Sequence, residues 1–299
     1  MTTQTRRKLA NLLRYTVMIL LGLVFALPIV FMLVSSLKPS LQILRDSSSL
    51  LAFLPVGDIS LQNYPAALER APVGRFVFNS LLVTTFTVTL GLLINSLVGF
   101  SLANMRWKGK EVVLSVIIAT LILPFETIAV PLLMVVSKLP WIGAEGITTG
   151  WLNSYQVQII PFIVDAFSIF LFVQFFKSVP YEIIEAARID GASWPQIFGR
   201  IIVPISGPVF ATAAILRGLF MWHQYLWPSM VVQTDAFRPV MIGLGFFWQT
   251  FGPNTPGEGV LPWGQMMAYL SIITIPVIIF FLLLQDAFVK SIASTGVKG

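Results

Sequence analysis

The polar side chains that chemistry could use collect in three places. The stretch "YEIIEAARIDG" sets Glu182, Glu185, Arg188 and Asp190 around two alanines, Ala186 and Ala187, and ends on Gly191. Glu126, Asp165 and Arg217 lie inside apolar runs, where charges are costly and usually face a cavity or one another. Trp222, His223, Gln224 and Tyr225 place aromatic faces beside polar tips. None of these groups is equipped for catalysis. His223 is the only histidine and cysteine is absent, which excludes a multi-histidine metal cluster, a thiolate site, a disulfide framework and a thiol nucleophile. The carboxylates are scattered, without metal-ligand spacing. "KGKE" at 108–111 lacks the glycine spacing and the hydroxyl residue of a phosphate-binding P-loop. The chain therefore cannot hydrolyse ATP by itself.

The elements that carry these residues belong in a membrane. Hydrophobic residues make up 56% of the 299 and charged residues only 11%, against about 25% charged in a soluble domain. Apolar runs near 15–37, 76–103, 112–137, 155–176, 206–228 and 263–287 are each long enough for a hydrocarbon core of about 30 Å. In lipid the backbone must satisfy its own hydrogen bonds, so these runs are expected as helices. Pro28, Pro124, Pro131, Pro161 and Pro276 fall inside them, where proline is tolerated as a kink and often marks cavity-lining segments. The first run has the basic flank of a signal peptide, but at 15–37 it exceeds the usual cleaved core and reads as a retained span.

Basic residues orient the set. Twelve lie in the first, third, fifth and seventh non-membrane segments, among them Arg6, Arg7, Arg106, Lys108, Lys177 and Arg188. Six lie in the alternate, longer segments: Lys38, Arg45, Arg70, Arg75, Lys138 and Arg238. This bias puts both termini in the cytoplasm. It also accounts for the net charge of +6 without nucleic acid. The expected organisation is a cytoplasmic N-terminus (1–14), a first span (15–37), an external loop (38–75), a core of five spans (76–287) with a cytoplasmic loop at 177–205, and a cytoplasmic tail (288–299). The external segments 38–75 and 229–262, the latter with "FGPNTPGEGVLP", read as docking surface.

Within 177–205, Pro180 suits the first turn of a helix, and Gly191 is placed for a left-handed C-terminal cap. Ser193 and Gln196 have the spacing of a capping box that starts a second helix, and Pro204 is expected to stop it. Interfacial helices generally carry a basic polar face. This first helix is net acidic, which suits a basic protein groove better than anionic lipid.

The spacing E-A-A, three residues, Gly, nine residues, I-x-V-P (Glu185, Ala186, Ala187, Gly191, Ile201, Val203, Pro204) resembles the EAA loop of binding-protein-dependent ABC importer permeases. Val203 stands where leucine is usual. "SLKPS" and the terminal "LLLQDAFVKSIASTGVKG" resemble signatures of the carbohydrate-uptake branch, in its maltose-G-like member. The resemblance implies an all-α integral membrane protein with six transmembrane helices, the type I ABC importer permease fold, in the bacterial cytoplasmic (inner) membrane. It implies partners as well: a homologous permease forming a heterodimer, two ATP-binding cassette subunits, an external solute-binding protein and a small sugar-like solute. This chain would bind no cofactor, with ATP and Mg²⁺ held in the partner ATPase. Glu185, Ala186, Ala187, Arg188, Asp190 and Gly191 would then form a coupling helix seated in an ATPase groove.

On a continuous helix Trp222 and Tyr225 share one face, with His223 and Trp227 on the adjoining one. Such a surface suits sugar rings, and equally an interfacial aromatic belt. Related permeases resemble W-N-x-F-L-x-P here, so His223 departs from asparagine. Arg217 is expected to pair with Asp165, either as a buried structural pair or as part of a cavity reaching Gln224 and Tyr225. An ion-coupled secondary transporter using Glu126 and Asp165 is the alternative, although such folds often carry internal repeats and none is visible. With no external Lys/Arg cluster to hold a phosphate, the favoured solute is a neutral glycoside, oligosaccharide or polyol.

Overall fold

The computed structural model describes residues 3–143, 146–251 and 262–296. It is mostly helical. Among the described residues four helices are long and apolar enough to cross a membrane: within Ala10–Ser35, Val73–Asn104, Gln156–Ser178 and Trp263–Gln285. Two further candidates are bent pairs, so the number reaches six when each pair is one span. The chain divides into two compact units, Met1–Val73 with Leu244–Ile275, and Gly74–Gly243 with Pro276–Gly299.

The first unit begins with α1 (Thr3–Ser35). Its apolar side chains from Leu12 to Val30 are exposed all round, an arrangement at home in lipid and untenable in water. Beyond it α2 (Ser40–Asp46), a 3₁₀ turn (Leu50–Phe53) and α3 (Asn63–Arg70) fold around "SLKPS". Lys38 is 1% exposed. Its ammonium donates to Asp46 Oδ2 at 2.8 Å and to the Leu51 carbonyl at 2.6 Å. Asn63 Nδ2 donates to the carbonyls of Ser36 and Lys38, both at 2.9 Å. A Cβ at Gly264 would come within 2.6 Å of that same Lys38 carbonyl, so this glycine is required by close approach. Lys38, expected among the basic residues of the external segment 38–75, is therefore a buried structural cation. Most of "FGPNTPGEGVLP" lies outside the described residues.

The second unit starts along α4 (Val73–Asn104), whose inner face is unusually polar for a span: Asn79, Ser80, Thr87, Asn95 and Ser96 are buried. Gly99 lets α8 (Ala166–Ser178) approach, since a Cβ there would sit 2.6 Å from Phe172 Cβ. The expected span at 112–137 is two helices, α5 (Lys110–Thr120) and α6 (Phe125–Val136), bent by 103°. Pro124 causes the break: it is the N-cap of α6 in an extended conformation, which proline also favours in the residue before it. An antiparallel hairpin follows, β1 (Pro140–Gly143) with β2 (Gly146–Thr149), an element that the all-helical expectation did not include.

The expected span at 155–176 is likewise segmented. It runs as α7 (Gln156–Ile159), a 3₁₀ turn (Ile160–Phe162) and α8, with Asp165 as the N-cap of α8. Then come α9 (Tyr181–Ile189), α10 (Trp194–Ile197), a π-helical turn (Phe198–Ile202) and α11 (Val203–Ile205). Pro204 does not stop this helix. Its missing N–H is accommodated next to the π turn, and the chain bends by 79° only at Ser206, into α12 (Gly207–Trp222). Short α13 (Leu226–Val231) and α14 (Val240–Phe251) precede α15 (Trp263–Gly296), which extends helically over most of the segment read as a tail.

Candidate functional sites

The helix–turn–helix at 181–205 owes its shape to its turn. Gly191 adopts φ +83°, a conformation costing an L-residue roughly 1–2 kcal/mol. Its N–H donates to the Arg188 carbonyl at 3.1 Å, and the Ala192 N–H donates to the Ala187 carbonyl at 2.9 Å. Together these close a Schellman motif over the orphan carbonyls of α9. The Ser193 N–H donates to Gln196 Oε1 at 2.8 Å and starts the next helix. Arg188 stacks over Trp194, its guanidinium carbon 4.6 Å from the ring centroid, and so braces the turn.

Burial divides the expected contact residues. Ile184 and Ala187 pack into a core with Phe100, Phe172, Phe176, Ile197 and Ile202. Ala187 is thus part of the foundation, contrary to its expected place on the smooth contact face. Spacing explains this: three positions from Ile184, it continues the buried stripe of α9. Glu182, Glu185, Ala186, Asp190 and Gly191 are exposed, with Ile189 beside them at 86% exposure. The outward surface carries Ala186 and Ile189 together with three carboxylates and the exposed Arg188. Ile189 belongs to that surface and escaped the sequence reading, although an isoleucine off the buried stripe was the available signal.

Deeper in the same unit, the break in the 156–178 segment is held by side chains. Asn95 Nδ2 donates to the Ile163 carbonyl at 3.0 Å, and Asn95 Oδ1 accepts from the Asp165 N–H at 3.1 Å. Asp165 Oδ2 accepts from Ser168 N at 2.9 Å and Ser168 Oγ at 2.6 Å. Arg217 donates to the Phe162 carbonyl through Nη2, and its Nη1 lies 3.6 Å from Asp165 Oδ1. Non-helical backbone at membrane depth is tolerated where protein satisfies it. Asn95, with the same backbone-capping function as Asp165, was not singled out from sequence because an asparagine in an apolar run carries no charge to flag it.

The aromatic cluster is not one face. The helix ends at Trp222, with His223 as its C-cap and residues 223–225 outside any helix, so the spacing argument from Trp222 to Trp227 does not apply. Pro228 sits within the first turn of α13, where a new helix suits it. Trp222 is buried against a cavity of about 170 Å³ lined by Thr84, Thr85, Thr89, Gly218 and Phe280. His223, Gln224 and Tyr225 border a different depression, of about 540 Å³, with Phe125, Glu126 and Phe220. Trp227 is 1% exposed and donates to the Val157 carbonyl at 2.8 Å. It is a core residue and neither a sugar platform nor an interfacial belt. Glu126 occupies the first turn of α6, directly after the bend.

With this geometry in view, the chain matches, over residues 91–294, the family model described as "Binding-protein-dependent transport system inner membrane component". It is 31% identical over 273 residues to the arabinooligosaccharides transport system permease protein AraQ of Halalkalibacterium halodurans, covering 91% of each chain. It is 27% identical to the lactose transport system permease protein LacG of Rhizobium radiobacter, covering 97% of each. Its fold matches a chain from the crystal structure of a bacterial ABC transporter involved in the import of the acidic polysaccharide alginate, with a TM-score of 0.76 and 20% identity, over 96% of this chain and 99% of that one.

Proposed function

Since the chain belongs to the family of binding-protein-dependent transport system inner membrane components, we propose that it is the membrane-spanning subunit of an ATP-driven importer for a sugar or sugar-like solute. It is a transport subunit and not an enzyme; ATP hydrolysis resides in a separate subunit. The reading carried further is a six-span permease with both termini in the cytoplasm of a bacterial inner membrane. It pairs with a homologous permease, two ATP-binding cassette subunits that hold ATP and Mg²⁺, and an external solute-binding protein. The solute is a neutral glycoside, oligosaccharide or polyol, in keeping with relatives named for arabinooligosaccharides and lactose.

The observation that carries this reading is the turn at Gly191. A rigid, sharply capped helix pair presents Glu182, Glu185, Ala186, Asp190 and Ile189 outward, while Ile184 and Ala187 root it against α4 and α8. A lever needs both properties: an exposed, chemically specific end and a buried base that moves the spans. In this account ATPase closure pushes the exposed end, α8 and α12 tilt, and the cavity alternates between outward and inward access. The test is purification of the tagged chain from native membranes in mild detergent. A second permease and an ATPase are expected to accompany it in stable amounts, and mass spectrometry of the ligand on the cognate binding protein identifies the solute. Recovery of the chain alone, with solute uptake driven by an ion gradient, overturns the assignment.

A further inference from the structure

The Asp165–Arg217 pair is incomplete. Its 3.6 Å separation exceeds the 2.7–3.2 Å of a direct N–H···O bond. Asp165 Oδ2 is already used twice by Ser168, and Arg217 Nη2 is used by the Phe162 carbonyl. What is left is Oδ1, Nη1 and an Arg217 Nε that is buried without a hydrogen-bond partner. The Arg217 side chain is nine-tenths buried and lines a cavity of about 280 Å³ with Asp165, Phe167, Leu216 and Phe220. Lipid is an unsuitable neighbour for that wall, because intramembrane charges face a bundle interior or a water-filled cavity. Phe220 is 44% exposed, sits 5.1 Å from the guanidinium carbon, and also borders the depression that holds Glu126, His223 and Gln224.

We propose that the cavity face of the Asp165 Oδ1–Arg217 Nη1 pair is a hydroxyl-binding subsite for a neutral polyhydroxylated solute, with Phe220 as its apolar wall. A hydroxyl group both donates and accepts, so a single sugar hydroxyl donates to Oδ1 while its oxygen accepts from Nη1. At 3.6 Å the pair leaves no room for an oxygen between its atoms, so the hydroxyl bridges them from the cavity side, about 2.8 Å from each. The ring's C–H face then lies against Phe220. A phosphate accepts from Arg217 but is repelled by Asp165, which selects for uncharged solutes. The subsite rests on the importer reading above and adds to it that this chain itself touches the solute.

The absence of cysteine makes the site directly testable. Leu216→Cys, on the cavity wall and 40% exposed, is introduced into the complex purified with its native partners and placed in nanodiscs. Its modification by a hydrophilic methanethiosulfonate reagent is timed with lactose, raffinose, sorbitol or glycerol 3-phosphate. At least one neutral probe slows modification about tenfold at about ten times its Kd, while glycerol 3-phosphate has no effect. Protection disappears in Leu216→Cys combined with Asp165→Asn, and Arg217→Lys in the same background serves if the asparagine variant does not assemble. Equal rates with every probe, protection by glycerol 3-phosphate alone, or protection that survives the variants overturns the subsite. Loss of the ATPase during purification fails the importer reading instead, so the two outcomes are separable.

Discussion

At the scale of the residue, Gly191 carries the sharpest prediction. Proline fixes φ near −65° and cannot adopt +83°. It also removes the N–H that donates to the Arg188 carbonyl. Gly191→Pro is expected to insert into the membrane at normal levels yet lose ATPase-coupled uptake, measured in reconstituted vesicles; normal uptake would remove the turn from the mechanism. A second prediction concerns Asp46. Its hydrogen bond from Lys38 holds the carboxyl below its ordinary value, helped by Gln42 and the charges of Lys38 and Arg45, with burial opposing. A depressed folded-state value contributes stability that is present above the unfolded pKa and disappears as pH falls through the folded one. Residues 36–64 should therefore become susceptible to pepsin below about pH 4, and Asp46→Asn should abolish that pH step while weakening the segment at neutral pH. Gly191 was legible in the sequence because its chemistry is local. Ala187 and Trp227 were not, because what decides their roles is the packing of α9 on α8 and of α13 on α7.

At the scale of the element, broken helices govern the second unit. Asn95→Leu leaves the Ile163 carbonyl and the Asp165 N–H without their partner, at about 1–3 kcal/mol for each buried group left unpaired. The melting temperature of the detergent-purified protein should fall clearly, whereas Ser115→Ala, on exposed α5, should leave it unchanged. Gly99→Val places a branched side chain where even a Cβ would sit 2.6 Å from Phe172 Cβ. Overpacking of this kind typically costs about 1–3 kcal/mol, and here it should also impair coupling, since Phe172 shares a core with Ile184 and Ala187. Hydropathy located the apolar runs because lipid solvation acts on composition. It did not locate the 103° and 79° bends, which fall at an extended Pro124 and at Ser206, whose hydroxyl donates back to the Ile202 carbonyl. Pro204 illustrates the difference: the residue is a breaker by local rule, yet the helix passes it and bends at Ser206.

At the scale of the whole molecule, the account is of a lever without its own motor. The exposed surface around Ile189 and Ala186 is the proposed partner contact, and in the family to which the chain belongs ATP hydrolysis resides in a separate subunit. Nothing favours the ion-coupled alternative, in which Asp165 would be a free ion site. Its Oδ2 is committed to Ser168 and its Oδ1 faces Arg217. The most direct test is site-specific crosslinking. The chain is free of cysteine, so Ala186→Cys provides a single reactive position on the outward face of α9. A short bifunctional thiol crosslinker is applied to native membranes with and without ATP. The account predicts a crosslink to an ATP-binding cassette subunit whose yield changes with nucleotide. Adducts with lipid alone, or an ATPase crosslink indifferent to nucleotide, would contradict it.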